Sequence, residues 1–337
     1  MSEQETKTSR KRVLSGIQPT GEAHLGNYLG ALRQWVYMQD EYECFYCIVD
    51  QHAILGESDP LDLPRRTLDM AVSLLAVGID PDKSTLFVQS DLPEHIELAW
   101  LFNTVAPVGD LERMTQYKDK STRYESIPVG LLNYPVLQAA DILIYRADAV
   151  PVGDDQRQHL ELTREIARKW NTRYGVYFPE PEAIIPETGR IIGLDGDAKM
   201  SKSLGNTVGV LAAEDEVWEG VRRAVTDPQR VRREDSGRPE VCNVYSLHEL
   251  LTDSTLLPDI AEQCRTAGRG CVDCKRILAD SIVGEFSPFR ERAEYFRAHA
   301  DEVRGILEDG ASRARAVSSA TLAEARGRMG LDWRAGL

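Results

Sequence analysis

No apolar stretch in the chain approaches 18 residues, which excludes a membrane-spanning helix as its organising element. The opening MSEQETKTSRKR carries charges with no hydrophobic run behind them, which argues against a secretory signal. Cysteine is scarce, six in 337 residues, too few for a disulfide-held secreted scaffold. Lysine is scarce as well, nine against 31 arginines, so two lysines close together carry more information than neighbouring arginines. Positive charge is the minority sign, 40 residues against 54 acidic ones, for a net charge of −14. That balance argues against unselective coating of nucleic acid or anionic membrane, although a local basic patch can still meet RNA. These absences leave a soluble, cytoplasmic enzyme, with no membrane partner, as the expectation. What remains is a chain 42% hydrophobic, long enough to remove roughly three-quarters of its unfolded surface from water. Two unequal domains are expected at this length.

Along the chain, residues 1–12 read as a disordered tail, and Val13 to Ile17 as a short strand broken by Pro19 and Gly21. Leu25, Leu29, Leu32 and Val36 then recur at helical spacing. Strand, glycine turn and helix is the opening of an α/β unit, whose helix N-terminus suits anionic oxygens. Cys44 to Val49 and Thr85 to Val88 read as buried strands, with a helix begun by Pro64 between them and another from Glu94 to Val105. Ala149 to Val152 reads as a further strand, leading to a long amphipathic helix through Leu160, Ile166 and Trp170. The alternation predicts an α/β fold: a doubly wound parallel-sheet nucleotide-binding domain at 13–206. Strand signals then fade, and 207–337 reads as a smaller helical domain whose C-terminal segment can pack back on the first. Helices are expected near 211–225, 256–267, 271–283, 288–307 and 312–329.

Two phosphate-site candidates lie far apart: SGIQPTGEAHLGN, Ser15 to Asn27, and KMSKS, Lys199 to Ser203. The second puts two of the nine lysines three residues apart in a short polar loop, and lysines are mobile point charges suited to triphosphate oxygens. Together they resemble the two signatures of the class I aminoacyl-tRNA synthetases. The longer segments GNYLGALRQWV, YCIVDQHAI, ERMTQYKDK, YPVLQAADILIY and AVPVGDDQRQHLELTR narrow the resemblance to the tryptophanyl-tRNA synthetases.

The resemblance implies ATP-dependent activation of L-tryptophan, with Mg²⁺, followed by transfer to tRNA(Trp), in a homodimer. Gln18, Pro19, Thr20, Gly26 and Asn27 would line the ATP site, with His24 donating to phosphate. Gly153, Asp154 and Asp155 resemble a segment that cradles the nucleoside, and Ile191 or Ile192 would meet the adenine. Lys199 and Lys202 would neutralise the outer phosphates within the loop of Met200, Ser201 and Ser203. Lys118 and Lys120 resemble lysines of a second loop approaching the triphosphate, with a solvated surface as the plain alternative.

An indole needs an apolar slot and one acceptor for its ring N–H. Asp141 resembles that acceptor, and Leu14, Val150, Val152 and Gln156 match residues near the side chain or α-amino group. Tyr134 and Gln51 stand nearby. Two departures matter: Gln138 where relatives often have Met, and Leu14 where Phe is frequent. They predict altered tolerance to ring substituents, as in an auxiliary form of the enzyme. The second reading of the whole chain is a synthetase-like adenylating or regulatory protein that binds tryptophan and ATP without efficient charging.

Cys242, Cys264, Cys271 and Cys274 give C-x21-C-x6-C-x2-C, a soft donor set for a [4Fe–4S] cluster or, second, Zn²⁺; free or paired cysteines are the alternative. The spacing is similar to a cluster-binding variant of some tryptophanyl-tRNA synthetases. Cys44 and Cys47 share a strand, where positions three apart face opposite sides, so they read as core. Residues 222–238 hold six arginines and 310–337 five, the candidate contacts for tRNA phosphates.

Overall fold

The computed structural model describes residues 10–56, 59–153, 156–185, 188–189 and 191–333. The tail expected at 1–12 lies outside them as far as residue 9, and Arg12 already opens the first strand. Five strands, β1 Arg12–Ile17, β2 Glu43–Ile48, β3 Ser84–Val88, β4 Ala149–Pro151 and β5 Glu182–Ile184, form one parallel sheet. Their order is β3-β2-β1-β4-β5. Val13 lies beside Cys44 on one side and Ala149 on the other. Strand alternation divides the core: Val13, Cys44, Tyr46, Ile48 and Leu86 join one apolar layer, and Leu14, Phe45, Cys47 and Phe87 the other. Cys44 and Cys47 therefore fall in opposite layers and cannot share a ligand. The strand order turns at β1, which opens a crevice beyond the carboxyl ends of β1 and β4.

Helices cover both faces. The run after β1 comprises α1 Leu25–Asn27, a π-helical turn Tyr28–Leu32 and α2 Arg33–Met38. Leu25, Leu29 and Leu32 are buried as their spacing predicts, whereas Val36 is half-buried past the wide π turn. There follow α3 Asp50–Ala53, α4 Leu63–Val77, α5 Glu94–Asn103, α6 Val108–Glu112, α7 Thr115–Ser121, α8 Val129–Leu143 and α9 Arg157–Tyr174. Pro64 stands in the first turn of α4, where its missing N–H costs nothing.

The remainder is helical: α10 Glu214–Arg222, α11 Asn243–Leu251, α12 Leu257–Arg265, α13 Cys271–Ala298 and α14 Ala300–Arg328. Two expected helices, 271–283 and 288–307, are replaced by one long helix that carries Pro288 inside it. The proline ring crowds the carbonyl four residues earlier, here Gly284, and Phe286 and Phe289 anchor the segment by edge contacts with Tyr28. The break falls instead at His299, with φ −122° and ψ 51°. α14 runs back along β3, where Gly310 meets the Leu86 carbonyl and Arg313 donates to the carbonyls of Pro81 and Ser84. Among the described residues no helix is long and apolar enough to cross a membrane.

Candidate active site

His24 is the N-cap of α1. Its Nδ1 accepts the Asn27 backbone N–H at 3.3 Å, while Asn27 Oδ1 accepts the His24 N–H at 3.0 Å. With Nδ1 used as an acceptor, the ring proton sits on Nε2. Burial, then the charges of Lys202 and Lys199, lowers the imidazole pKa to about 4. His24 is thus a neutral donor.

Leu25 N–H donates to the Val208 carbonyl at 2.8 Å and Val210 N–H to that of Ala23 at 3.0 Å, which lashes the first loop to the segment after KMSKS. Within the second loop, Met200 N–H donates to the Ile191 carbonyl at 3.0 Å and Ile192 bridges Lys199. Asn206 holds the turn from inside: its Oδ1 accepts the Ser201 N–H at 2.7 Å and its Nδ2 donates to Asp195 at 2.7 Å. Ser201 and Ser203 hydroxyls lie 3.0 Å apart, and Gly205, at φ +63°, closes the turn Lys202–Leu204. A Cβ on Gly26 would stand 3.0 Å from that of Met200, and one on Gly21 3.5 Å from Lys202 Nζ. The two loops, about 175 residues apart in sequence, therefore meet. Partial desolvation lowers the Lys202 pKa against the opposing pull of Glu22 and Asp69.

Gln18 and Thr20 are exposed around a buried Pro19, and the Thr20 N–H donates to the Gln18 carbonyl at 2.9 Å. Gly153 is exposed just past β4, its carbonyl accepting the Gln156 N–H at 3.0 Å. Asp154 and Asp155 lie outside the described residues. Lys118 and Lys120 sit exposed on α7, with the Lys120 ammonium 5.4 Å over the Tyr134 ring.

Asp141, on α8, is buried at 2% exposure. Its Oδ1 accepts from His95 Nδ1 at 2.7 Å and Gln89 Nε2 at 2.8 Å, and its Oδ2 lies 2.8 Å from His52 Nε2. Burial alone would raise its pKa, yet the bonds from His52 and His95 hold the carboxyl well below its ordinary range. Leu14, Val150 and Val152 are buried in the same apolar layer. Gln138 Nε2 donates to Gln156 Oε1 at 3.3 Å, which gives the polar replacement the partner that its burial demands. Tyr134 joins His159 at 2.9 Å and Gln116 at 3.1 Å, faces His52 edge-on, and is pushed up to about 12 by burial. Gln51 N–H donates to Gln89 Oε1 at 3.2 Å.

His52, Gln89, His95 and Tyr145 escape a reading by motif. The signal that could have found them is histidine itself: of six in the chain, His95 and His159 sit on largely apolar buried helix faces, and His52 is the buried residue of the short α3. A buried imidazole needs partners on both nitrogens.

Cys242, Cys264, Cys271 and Cys274 line one pocket with Thr226, Arg230, Val244, Ile260 and Arg269. Arg230 Nη1 is 3.8 Å from Cys264 Sγ, while Arg230 Nε and Arg269 Nη1 are buried with no partner among the described residues. Among the described residues, however, no group of three or more His, Cys, Asp or Glu side chains is gathered to hold a metal ion, and the thiols are free. The arrangement of the four thiols thus lends no support to the cluster or zinc that their spacing led one to expect. Burial pushes the Cys264 thiol up and that of Cys274 to about 12, which favours the protonated forms.

The arginine islands differ. Arg313, Arg315 and Arg326 are spent on docking α14, on the Pro81, Ser84 and Asp91 carbonyls and Glu97. In the first island Arg222 and Arg223 bond Glu219 on their own helix and Arg230 and Arg238 bond within the segment, while Arg232 and Arg233 stand exposed.

The family model described as tRNA synthetases class I (W and Y) matches residues 6–287. A tryptophan–tRNA ligase of Deinococcus radiodurans is 52% identical over 324 residues, covering 95% of this chain and 98% of its own. Tryptophan–tRNA ligase 2 of Streptomyces avermitilis is 46% identical over 332 residues, covering 96% and 98%. A crystal structure of tryptophanyl-tRNA synthetase from Campylobacter jejuni, complexed with ADP and tryptophan, matches with a TM-score of 0.86 at 36% identity. It spans 95% of this chain and 99% of its own.

Proposed function

The chain belongs to the class I tRNA synthetases for tryptophan and tyrosine, and we infer that it is a working tryptophan–tRNA ligase. It activates L-tryptophan with ATP to tryptophanyl-adenylate and pyrophosphate, then passes the tryptophanyl group to tRNA(Trp). The observation that carries the residue assignment is the meeting of the His24 loop and the KMSKS loop at the crevice where the strand order turns.

The nucleophile is the tryptophan carboxylate, ionised at neutral pH, so the first step needs no protein base. Its attack on the α-phosphorus breaks the bond to pyrophosphate, which leaves with the electron pair. Catalysis then rests on alignment and neutralisation of charge. His24 Nε2–H is the neutral donor to a phosphate oxygen, and Lys199 and Lys202 meet charge migrating onto pyrophosphate, with Mg²⁺ arriving as part of the nucleotide. Gly26 allows close approach, and Ile191 and Ile192 supply the apolar side of the adenine slot. Gln18, Pro19, Thr20, Asn27, Gly153, Met200, Ser201 and Ser203 complete the ATP pocket, to which we add Asp154 and Asp155 on resemblance alone. Asp141 accepts the indole N–H, among Leu14, Val150, Val152 and Gln138, while Tyr134 and Gln156 serve the polar end of the amino acid. Lys118 and Lys120 approach from α7.

ATP–pyrophosphate exchange with tryptophan and tyrosine, followed by charging of tRNA(Trp), tests this reading. Tryptophan-dependent exchange and charging are expected. Exchange without charging would support a repurposed adenylating protein instead. The Gln138–Gln156 pair suggests wider tolerance of ring substituents, and uniformly poor activation of 4- and 5-substituted tryptophans would reject it.

Residues 13–206 serve the adenylation step and 207–337 the tRNA, in the cytoplasm. A homodimer is favoured by Ile96 and Trp100, one turn apart on α5 and 47% and 68% exposed. Light scattering would give twice the chain mass. For the cysteine pocket, a [4Fe–4S] centre is the first reading and zinc the second, on the cysteine spacing. Either tetrathiolate centre carries negative charge that Arg230 and Arg269 would face, and either would require the four thiols to draw closer than they stand. Held by Cys242, Cys264, Cys271 and Cys274, such a centre would supply a covalent cross-link between the start of α11, α12 and the start of α13. Anaerobic preparation should yield four iron and four sulfide per chain, whereas zinc or no metal would refute it.

A further inference from the structure

We propose that His95 and Tyr145 are positioning residues for amino-acid selection: with Gln89 and His52 they occupy all but one acceptor position of Asp141 and aim the last at a ring N–H. The inference rests on the reading of Asp141 as the indole acceptor and deepens it.

A carboxylate offers about four lone-pair sites. At Asp141, Oδ1 is filled by His95 Nδ1 at 2.7 Å and Gln89 Nε2 at 2.8 Å, and Oδ2 takes His52 Nε2 at 2.8 Å. Among the described residues three sites are used and one remains, on Oδ2. Gln89, His95 and Tyr145 are wholly buried and Asp141 nearly so.

The donors are themselves held. The Tyr145 hydroxyl lies 2.7 Å from His95 Nε2. Donation from the phenol leaves the imidazole proton on Nδ1, facing Asp141, so the neutral tautomer is set by the hydroxyl. The Tyr145 ring stacks on Phe45 with centroids 4.6 Å apart and tilts against Phe87 at 5.6 Å, which leaves the hydroxyl no other direction. Gln89 is oriented in the same way, since its Oε1 accepts the Gln51 N–H and turns its NH₂ toward Asp141. The donors come from β3's end, α3 and α5, whereas Asp141 comes from α8. One carboxylate is therefore gripped from three elements.

Such a grip makes the carboxylate a reader of a single N–H rather than a general anion. A ring of the same shape without that hydrogen would leave a buried acceptor unpaired, which is where polar sites discriminate most. His95 and Tyr145 reach the amino acid only through Asp141.

The test compares tryptophan with 3-(benzo[b]thiophen-3-yl)-L-alanine, which replaces the ring N–H by sulfur, in ATP–pyrophosphate exchange. His95→Ala should lower kcat/KM for tryptophan roughly ten- to hundredfold, mostly through KM, with the isostere changed little and KM for ATP unchanged. His95→Asn, whose amide N–H can replace Nδ1–H, should restore most of the preference, and Tyr145→Phe should lose several-fold. A tryptophan-to-isostere ratio unchanged in both His95→Ala and Tyr145→Phe overturns the positioning role, and so does an equal loss on both amino acids. Should His95→Ala fail to fold, Tyr145→Phe, which removes one hydroxyl, carries the test alone. Asp141→Asn separates the two levels. If it collapses the ratio while the His95 and Tyr145 variants do not, only the positioning role falls; if it leaves the ratio intact, the acceptor reading falls too.

Discussion

Lys202 and His24 divide the work on the triphosphate between a charge and a neutral donor. Removing Lys202 deletes a cation beside the leaving group and leaves the amino-acid pocket untouched. Lys202→Ala is expected to lower kcat for pyrophosphate exchange about 10²- to 10³-fold, with KM for tryptophan changed less than about threefold. Steady-state exchange kinetics at varied tryptophan and ATP would show it.

His24 also links stability to pH. Its ordinary imidazole titrates near 6.5, whereas burial and then the two lysines hold it near 4 in the folded chain. Between those values the unfolded chain binds the proton and the folded chain resists it. Stability is therefore complete above about pH 6.5 and drains as pH falls toward 4. His248, lowered to about 4 chiefly by burial, adds in the same direction. Urea unfolding between pH 7.5 and 4.5 should show a shallower decline in His24→Gln than in the parent.

At the scale of elements, α14 gives a paired test of packing. A Cβ on Gly310 would stand 1.7 Å from the Leu86 carbonyl oxygen of β3, whereas one on Gly305, in the same helix, meets nothing within 4 Å. Gly310→Ala should cost about 3 kcal/mol or more, because backbone cannot yield as a side chain can. Gly305→Ala should gain roughly 0.5–1 kcal/mol from helix propensity. Chemical denaturation of the two variants measures the difference, and equal effects would mean that α14 does not lie against β3.

Elements were legible to unequal degrees. β1, β2 and β3 announce themselves by buried β-prone runs, and α4 and α9 by their apolar periodicity. β5 has only three residues, between Pro181 and Ile185, too short for a pattern. α11 hides because its buried positions, Val244, Leu247 and His248, include a histidine held by Thr252. The false break inside α13 has the same origin. Pro288 and Gly284 advertise a loop locally, whereas burial of Ile282, Phe286, Phe289 and Ala293, two of them against Tyr28, holds the segment helical.

For the whole molecule, an acidic surface must still receive a polyanion. The exposed Arg232 and Arg233 stand in a segment remote in sequence from the His24 loop, so their loss should separate the two chemical steps. The double change Arg232→Ala with Arg233→Ala is expected to raise KM for tRNA several-fold and flatten its dependence on salt. Tryptophan-dependent pyrophosphate exchange should stay as in the parent. Charging assays across a salt series provide the check, and a matching fall in exchange would place these residues elsewhere in the mechanism.

Chemistry that depends on residue type and short spacing can be argued along the line: HLGN, KMSKS and the helix bearing Asp141 are the segments on which the expectation of a nucleotide site and an indole pocket rests. The charge of Lys199 and Lys202 is a local property that needs no fold to be seen, whereas the reciprocal cap of His24 and Asn27 appeared only in the structure. What waited for three dimensions was every assignment of partners. Whether the first arginine island or the second is spent internally, which histidines grip Asp141, and how near the four thiols lie are questions of distance between remote segments. A chain of 337 residues leaves such distances open until its sheet order and helix docking close them.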